Sequence, residues 1–454
     1  MLPRTLAFVP LALIALTSCK QPNKDQSPAV AYSSVISFGD SLSDAGTYNV
    51  GLIKAAGGGL FTVNGIASPI GTQPIPSYTW AQLVAAAAVG RPSCSARLGG
   101  FGLPGSSEPA TGPAKCRNYA QGGSRITDPK GIGNPVGAGF TAGALTEPVV
   151  TQMANFVVDN GSNNFTGQEL ITVLAGPNDL FFQAEQLGKD ATAAGSKAFA
   201  TSIVTQLLAL TPAASQAQAQ AAIGQAVQLE AAKPTATPTS IVTAAFTAAA
   251  PFLANSTSKA APPTPSAVAQ IAADAAKEAG NAFAASTGLQ NAVAAMSGVA
   301  ETLAGYIKDM TARGARHVIV VNIPDVSQTP SAAKSPSSQP LLLAMTQAFN
   351  RSLEKSLKNV DGVLLVDAFS ENQRQFADPA HYDLSNVKNV ACNLSFPSNI
   401  LDLKKDGSGS SLVCNSRNLT SGDTSHYLFA DDVHPTPYGH KLLARGQIYP
   451  AAER

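Results

Sequence analysis

The sequence predicts an α/β fold, a three-layer α/β/α sandwich around a central and mostly parallel sheet. Short apolar runs bounded by turn residues predict the strands, because near-continuous runs of Val, Ile and Leu are typical of strands buried on both faces. Helical stretches fall between these runs, and this alternation is typical of a parallel sheet covered by helices. A chain of 454 residues, 44% of them hydrophobic, is long enough to bury one large core.

The elements follow one another in a regular order along the chain. The predicted strands are Val35–Phe38, Leu170–Ala175, His317–Ile323 and Gly362–Asp367. The predicted helices are Thr79–Val89, Pro148–Asp159, Val299–Arg313 and Pro340–Leu357. Because sites in open parallel sheets lie beyond the carboxyl ends of the strands, the residues directly after each strand are the first candidates for function.

A segment at about residues 183–297 interrupts this alternation. It is dominated by Ala, Thr, Ser and Gln, and Ala is a strong helix former. The helices predicted within it are Lys197–Leu210, Ala213–Ala232 and Ser266–Ala285. We expect a helical insertion that is either a cap over a site or a surface decoration, and its small side chains favour the decoration.

The N-terminal residues predict export. Arg4 precedes the apolar stretch Leu6–Leu16, which is shorter than the ~20 residues that a membrane-spanning helix needs. The stretch ends in Leu-Thr-Ser-Cys, which resembles a bacterial lipobox with Cys19 as the lipidated residue. We therefore expect a signal peptide at 1–18, a tether at 19–30 and the main domain at 31–454. The expected location is the cell envelope, at the outer membrane in a Gram-negative host, and plain secretion is the alternative.

Charge and cysteine content narrow the function classes. The formal net charge is +1 and there is no long basic run, which argues against nucleic-acid binding. Apart from Cys19 there are four cysteines, and three pairings are open to them in an oxidising compartment. They form two local pairs, so we favour the disulfides Cys94–Cys116 and Cys392–Cys414. Neither a CxxC nor a HExxH pattern is present, and we expect no metal site.

Ser41 is the candidate nucleophile. It follows the first predicted strand, lies two residues after Gly39 and precedes what reads as the start of a helix. Its hydroxyl would then be exposed near the positive end of a helix dipole. The pattern is not the GxSxG elbow, because Ser43 stands where that motif has its second glycine. Asp40 and Asp44 read as local hydrogen-bonding residues rather than metal ligands.

Asp431 and His434 are the candidate acid and base. A spacing of three residues on a turn brings the carboxylate to Nδ1 while Nε2 faces the serine. Pro435 disfavours a helical conformation for His434, and a new helix is expected just after it with Thr436 as N-cap. Asp432 is the competing acid.

Four blocks in this order resemble the GDSL, or SGNH, family of serine esterases and lipases. The blocks are Gly39-Asp40-Ser41-Leu42, Gly122-Gly123, Gly176-Pro177-Asn178-Asp179 and Asp431-Asp432-Val433-His434. The resemblance implies a flavodoxin-like SGNH hydrolase fold. It also assigns the acid to Asp431, three residues before the histidine, rather than to Asp432.

The resemblance implies an oxyanion hole formed by the backbone N–H groups of Ser41 and Gly123 and the side-chain amide of Asn178. Gly122 is the rival of Gly123, and Phe181 and Phe182 are expected to line the acyl side of the pocket. No cofactor is expected. The implied reaction is hydrolysis of short- to medium-chain acyl esters or lipids. Acyl transfer, carbohydrate ester hydrolysis and non-catalytic binding at a cell surface stay open, as does the oligomeric state.

Overall fold

The computed structural model describes residues 31–65, 77–99, 110–113, 115–128, 146–253 and 263–445. The signal peptide and tether predicted at 1–30, with Cys19, lie outside the described residues. Within the described part of the chain, no helix has both the length and the apolar character needed to cross a membrane.

Eight strands and twelve α-helices are described. The strands are β1 Ser34–Gly39, β2 Arg97–Leu98, β3 Ala110–Thr111, β4 Glu169–Leu174, β5 His317–Val321, β6 Val363–Val366, β7 Asn386–Val390 and β8 Tyr427–Phe429. The helices are α1 Gly51–Ala55, α2 Trp80–Val89, α3 Val149–Asn160, α4 Pro177–Leu208, α5 Gln216–Ala231, α6 Pro238–Leu253, α7 Pro265–Ala285, α8 Thr287–Ala312, α9 Pro330–Ala333, α10 Gln339–Leu357, α11 Ala368–Ala377 and α12 Pro437–Arg445.

The main sheet has four strands in the order β1-β4-β5-β6, and all three pairings are parallel. These are the four strands that the apolar runs predicted, and the expected α/β fold with a parallel sheet is confirmed. The segment around Asn118 extends the sheet beyond β1, because the N–H of Ser37 donates to the carbonyl of Arg117 and the N–H of Tyr119 donates to the carbonyl of Ser37. This edge segment leads directly into Gly122-Gly123.

The two faces of the sheet bury different helices, because successive side chains of a strand point to opposite sides. Ile36, Ile171 and Val318 pack on one face in a cluster to which α3, α8 and α10 contribute. Val35 and Leu170 pack on the other face in a cluster to which α2 and α12 contribute. The three expected layers are therefore present, with the sheet in the middle.

Helices α4 to α7 and the start of α8 occupy the segment at 183–297. α4 belongs to both parts of the protein, because Leu180 packs in the core of the sheet domain and Ile203 packs in a separate helical cluster. Ile223, Val242 and Val268 bring α5, α6 and α7 into that second cluster. The helix α6 had no counterpart in the sequence analysis, where its Pro-flanked sequence did not stand out.

Both predicted disulfides are formed. Their Cα atoms are 4.9 Å apart in Cys94–Cys116 and 5.9 Å apart in Cys392–Cys414. The second disulfide joins two segments beside β8. The N–H of Cys392 donates to the carbonyl of Ala430, and Cys414 follows the short helical turn Ser411–Val413. It therefore ties the segment bonded to Ala430 to the turn whose Ser411 N–H donates to the carboxylate of Asp431.

Candidate active site

Ser41 lies in the turn directly after β1, with 8% of its surface exposed. The turn is tight because the N–H groups of Ser43 and Asp44 both donate to the carbonyl of Asp40. Only glycine fits at position 39, since a Cβ there would lie 2.2 Å from the carbonyl oxygen of Leu174 on the neighbouring strand. The close approach of β1 and β4 thus fixes the position of Gly39, after which the turn that carries Ser41 begins.

The sequence predicted that a helix starts after Ser41, and this was wrong, because the structure has only a single turn there. The carboxylate of Asp44 accepts hydrogen bonds from the N–H groups of Gly46 and Thr47, at 2.8 and 2.7 Å. A side chain that binds nearby backbone groups competes with helix formation, and here it ends the turn. The first helix after Ser41 is α1, which begins only at Gly51.

Asp431 and His434 lie on the loop between β8 and α12. The Nδ1 atom of His434 is 2.8 Å from each carboxylate oxygen of Asp431. The backbone N–H groups of Val433 and His434 donate to Oδ1 of Asp431, and that of Ser411 donates to Oδ2. Thr436 caps the following helix as expected, because its Oγ1 accepts from the N–H of Gly439. The histidine is thus fixed by its own loop.

The competing carboxylate has another partner. Asp432 forms an ion pair with Lys334 at 2.6 Å. Burial by itself raises the pKa of Asp431, but the nearby His434 charge and the donated hydrogen bonds outweigh it and hold the pKa well below the usual range for Asp. The buried and hydrogen-bonded carboxylate on His434 is therefore that of Asp431.

His434 also reaches the serine. Its Nε2 is 2.8 Å from Oγ of Ser41, although the two residues are 393 positions apart in the chain. The ring of Phe61 lies 5.0 Å from the imidazole, centroid to centroid, and covers one side of it. Phe61 was missed by the sequence analysis, since nothing in its Gly-rich loop distinguishes it. The serine, imidazole and carboxylate form one hydrogen-bonded chain.

The two adjacent glycines have different surroundings. The N–H of Gly122 donates to Oδ2 of Asp44 at 2.9 Å, and a Cβ at Gly122 would clash with Phe61 at 2.2 Å. Gly123 has a φ of +83° and lines the same cavity as Ser41, and its N–H has no acceptor among the described residues. The free amide is therefore that of Gly123, while Gly122 is required for packing.

Asn178 stands in the first turn of α4, where the positive end of the helix dipole lies. Its Nδ2 donates one proton to the carbonyl of Ser124 at 3.0 Å, which fixes the amide and leaves the second proton for the cavity. The next residue, Asp179, accepts hydrogen bonds from Nε of Arg125 and from the N–H of Ile126. This pair attaches α4 to the loop that carries Gly123.

A buried glutamine joins the same loops and was missed in the sequence. Gln152 of α3 accepts from the N–H of Gly39 and donates to the carbonyl of Gly39, at 2.9 and 2.8 Å. Its Nε2 also lies 3.0 Å from Oγ of Ser124. A lone polar residue on the apolar face of a helix, between Val149 and Phe156, is a signal that could have found it.

A cavity of about 400 Å³ opens at these groups. Ser41, Gly123, Asn178 and His434 lie together on its wall, among many apolar side chains. The apolar side chains of the wall are those of Leu42, Phe61, Pro177, Phe181, Pro324, Val326, Ala368, Leu428, Phe429, Val433, Pro435 and Leu443.

Of the two phenylalanines expected in the pocket, Phe181 lines the cavity and Phe182 does not. The guanidinium of Arg125 lies over the Phe182 ring, 3.8 Å from its centroid. None of the described residues from 183 to 297 contributes to the cavity wall.

The other histidines lie elsewhere. His440 is fully buried in α12, where Nδ1 accepts from the N–H of Trp80, and burial lowers its pKa to about 3. It is therefore neutral and structural. Among the described residues, no group of three or more His, Cys, Asp or Glu side chains is placed to hold a metal ion.

Comparison with known proteins agrees with part of this picture. Residues 272–446 match the family described as GDSL-like Lipase/Acylhydrolase. The match includes Asp431 and His434, whereas Ser41, Gly123 and Asn178 precede it. This part of the chain is similar to ester hydrolases of that family, which supports a hydrolase function.

A curated protein of Pseudomonas putida is also similar. It is described as an uncharacterized protein in the trpE-trpG intergenic region, and it is 30% identical over 161 residues. The aligned part is 35% of this chain and 25% of the relative, so the chain spans about a quarter of the relative's length.

Proposed function

We propose that this protein is a serine ester hydrolase in which Ser41, His434 and Asp431 act as a catalytic triad. The observation that carries the proposal is the pair of 2.8 Å contacts of the His434 ring, from Nε2 to Ser41 and from Nδ1 to Asp431. A serine becomes a useful nucleophile when an adjacent base accepts its proton and a carboxylate orients that base. The two contacts link the serine, imidazole and carboxylate in that order, which supports the proposal.

The proposed acylation step needs no cofactor. Oγ of Ser41 attacks the ester carbonyl carbon while its proton passes to Nε2 of His434. The carbonyl oxygen becomes an oxyanion, and the N–H groups of Ser41 and Gly123 and the Asn178 amide donate hydrogen bonds to it. The tetrahedral intermediate then expels the alcohol, whose oxygen takes the proton from Nε2.

Deacylation repeats the same proton transfers with water. His434 accepts a proton from a water molecule, which attacks the acyl carbon bound to Ser41. The carboxylic acid leaves, and Ser41 recovers its proton from Nε2. Asp431 stabilises the imidazolium in both half-reactions because it faces Nδ1 throughout.

The cavity supports short- to medium-chain acyl esters as substrates. Its volume of about 400 Å³ lies near the lower end of the range for small-molecule sites, and its wall is mainly apolar. Phe181 at the start of α4 lies beside Asn178, where the acyl group of a bound ester would be placed. No described residue of the insertion at 183–297 lines the cavity, which favours its role as a surface decoration.

The test is hydrolysis of p-nitrophenyl esters from acetate to palmitate by the purified protein, compared with the Ser41→Ala variant. Ser408→Ala is the matched control, because Ser408 is an exposed serine outside the cavity. We expect turnover by the wild type and the control, and loss of at least 10³-fold in Ser41→Ala. A fluorophosphonate probe should label the wild type and not Ser41→Ala. Retained turnover or labelling in a folded Ser41→Ala protein would refute the proposal.

A further inference from the structure

The cavity that holds Ser41 has carboxyl groups on its wall and, within the described part of the chain, no cationic side chain. Asp40, Asp325 and Glu371 line it, and no Lys or Arg of the described chain does. The fourth titratable group on the wall is His434, which the proposed triad uses. Apart from the proton that moves during the reaction, any charge that these described wall residues present to a substrate is therefore negative, although burial raises the pKa of Asp40 to about 7.

Asp325 follows β5, with 1% of its surface exposed. Its Oδ1 accepts from the N–H and the hydroxyl of Ser327, at 3.1 and 2.6 Å. Its Oδ2 accepts from Nε2 of Gln373 at 3.3 Å. All three donors are uncharged, so the hydrogen bonds stabilise the carboxylate without neutralising its charge.

Glu371 on α11 is in a different position. Its carboxylate pairs with the guanidinium of Arg374 at 2.6 Å, and the Arg374 side chain is 54% exposed. Arg374 does not line the cavity, but it offsets much of the Glu371 charge. Asp40 directly precedes Ser41 and is part of the catalytic turn itself. Asp325 is therefore the lining carboxylate outside the catalytic turn that no ion pair among the described residues balances.

Building on the proposed function, we infer that Asp325 makes this site selective for esters without a negative charge. An anionic group that enters the cavity loses part of its hydration, meets no Lys or Arg among the described wall residues and comes near the buried charge of Asp325. An uncharged ester loses little, and a cationic one gains an attraction. The substrates are therefore uncharged or cationic acyl esters, and esters that carry a phosphate or sulfonate group are excluded.

The experiment uses three butyrate esters that share the acyl group and differ in the charge of the alcohol. They are the choline ester, its uncharged isostere 3,3-dimethylbutyl butyrate, and the anionic ester of 2-hydroxyethanesulfonate. For each ester kcat/KM is measured by titration of released acid, and divided by the ester's rate of hydroxide-catalysed hydrolysis. This division removes the intrinsic reactivity of each alcohol, so that only recognition by the cavity remains.

Asp325→Asn removes the charge and keeps the shape. The amide oxygen can retain the two Ser327 hydrogen bonds, and Gln373 can turn its own amide to accept from the new NH₂ group. Asp361→Asn is the matched control. Asp361 is exposed and precedes the first residue of β6, whereas the cavity residues Ser41 and Asp325 follow the last residues of β1 and β5. Glu371→Gln is a second variant that tests the same wall if Asp325→Asn does not fold.

We expect the wild type and Asp361→Asn to hydrolyse the anionic ester roughly tenfold less efficiently than the uncharged one, after normalisation. In Asp325→Asn this gap should close several-fold, and Glu371→Gln should reduce it less. Equal normalised kcat/KM for the three esters in the wild type would overturn the inference, as would an unchanged gap in Asp325→Asn. Failure of the folded wild type to hydrolyse any of them would instead overturn the proposed function itself.

Discussion

The two adjacent carboxylates of the Asp431-Asp432 pair allow a sharp test of the proposed triad. We predict that Asp431→Asn lowers kcat by about 10³-fold or more, whereas Asp432→Asn changes it less than about twofold. Both substitutions remove one negative charge from the same loop and keep the side-chain shape. They differ in the side chain that is left without a carboxylate partner, which is His434 in Asp431→Asn and Lys334 in Asp432→Asn.

The magnitude follows from the contacts. When His434 takes the serine proton, the imidazolium and the Asp431 carboxylate form an ion pair at about 4 Å between charge centres, worth about 4 kcal/mol at an effective dielectric constant of 20. Loss of that energy from the transition state corresponds to about 10³-fold in rate, and a wrong histidine tautomer can raise the loss to about 10⁴-fold. The Asp432–Lys334 pair is partly exposed, so its loss costs at most about 1 kcal/mol of stability.

The assay is kcat for p-nitrophenyl butyrate, with urea unfolding of each variant as the control for folding. Asp431 accepts three backbone hydrogen bonds besides that of His434, so Asp431→Asn should also be destabilised by about 1–3 kcal/mol. Rates are therefore compared at a temperature where both variants are fully folded. If Asp431→Asn keeps a tenth of the wild-type kcat, or if Asp432→Asn is the inactive variant, the assignment of the triad is wrong.

Three further predictions concern the surroundings of the triad. Asn178→Ala should lower kcat by about 10²–10³-fold with a smaller change in KM, because an oxyanion donor acts mainly in the transition state. If kcat falls equally for short and long acyl esters, weaker binding of the acyl chain is not the cause. Burial raises the pKa of Asp40 to about 7, so its native state binds a proton more tightly than its unfolded state. The stability that this protonated group contributes is fully present below about pH 4, and it falls by about 1.4 kcal/mol per pH unit up to pH 7. In urea unfolding, Asp40→Asn should therefore be more stable than the wild type at pH 8 and similar to it at pH 4. A difference in stability that stays constant with pH would contradict this. Replacing both cysteines of the Cys392–Cys414 disulfide by Ser should cost about 3 kcal/mol and also lower kcat, since it braces Asp431; the same change at the Cys94–Cys116 disulfide should cost similar stability without the loss of kcat.

The sequence predicted much of the fold for identifiable reasons. The four strands of the main sheet are buried on both faces, so their apolar runs are continuous and visible without knowledge of the fold. The disulfides were predictable because each joins segments that are close in the chain. Helix α6 and the single turn after Ser41 were not, because the first lacks a distinctive pattern and the second depends on one side chain, Asp44, that competes with the helix.

The site was predictable as a set of residue types, and its alternatives were decided only by contacts. The choice between Asp431 and Asp432 depends on Lys334, which lies far away in the chain and pairs with the second. The choice between Gly122 and Gly123 depends on Asp44, whose carboxylate occupies the N–H of the first. Phe182 failed as a pocket residue because Arg125 packs on its ring instead.

The sequence alone determined the chemistry that is available here: a serine after a strand, a histidine with a carboxylate three residues before it, and an amide at a helix start. Local patterns are enough for this, because a turn, a cap or a buried strand depends on nearby residues. Only the tertiary structure decided which groups meet, since Ser41 and His434 approach to 2.8 Å across 393 residues of chain. It also decided that Asp325 lines a cavity to which no described Lys or Arg contributes, because the charge around a site depends on which distant side chains pack there.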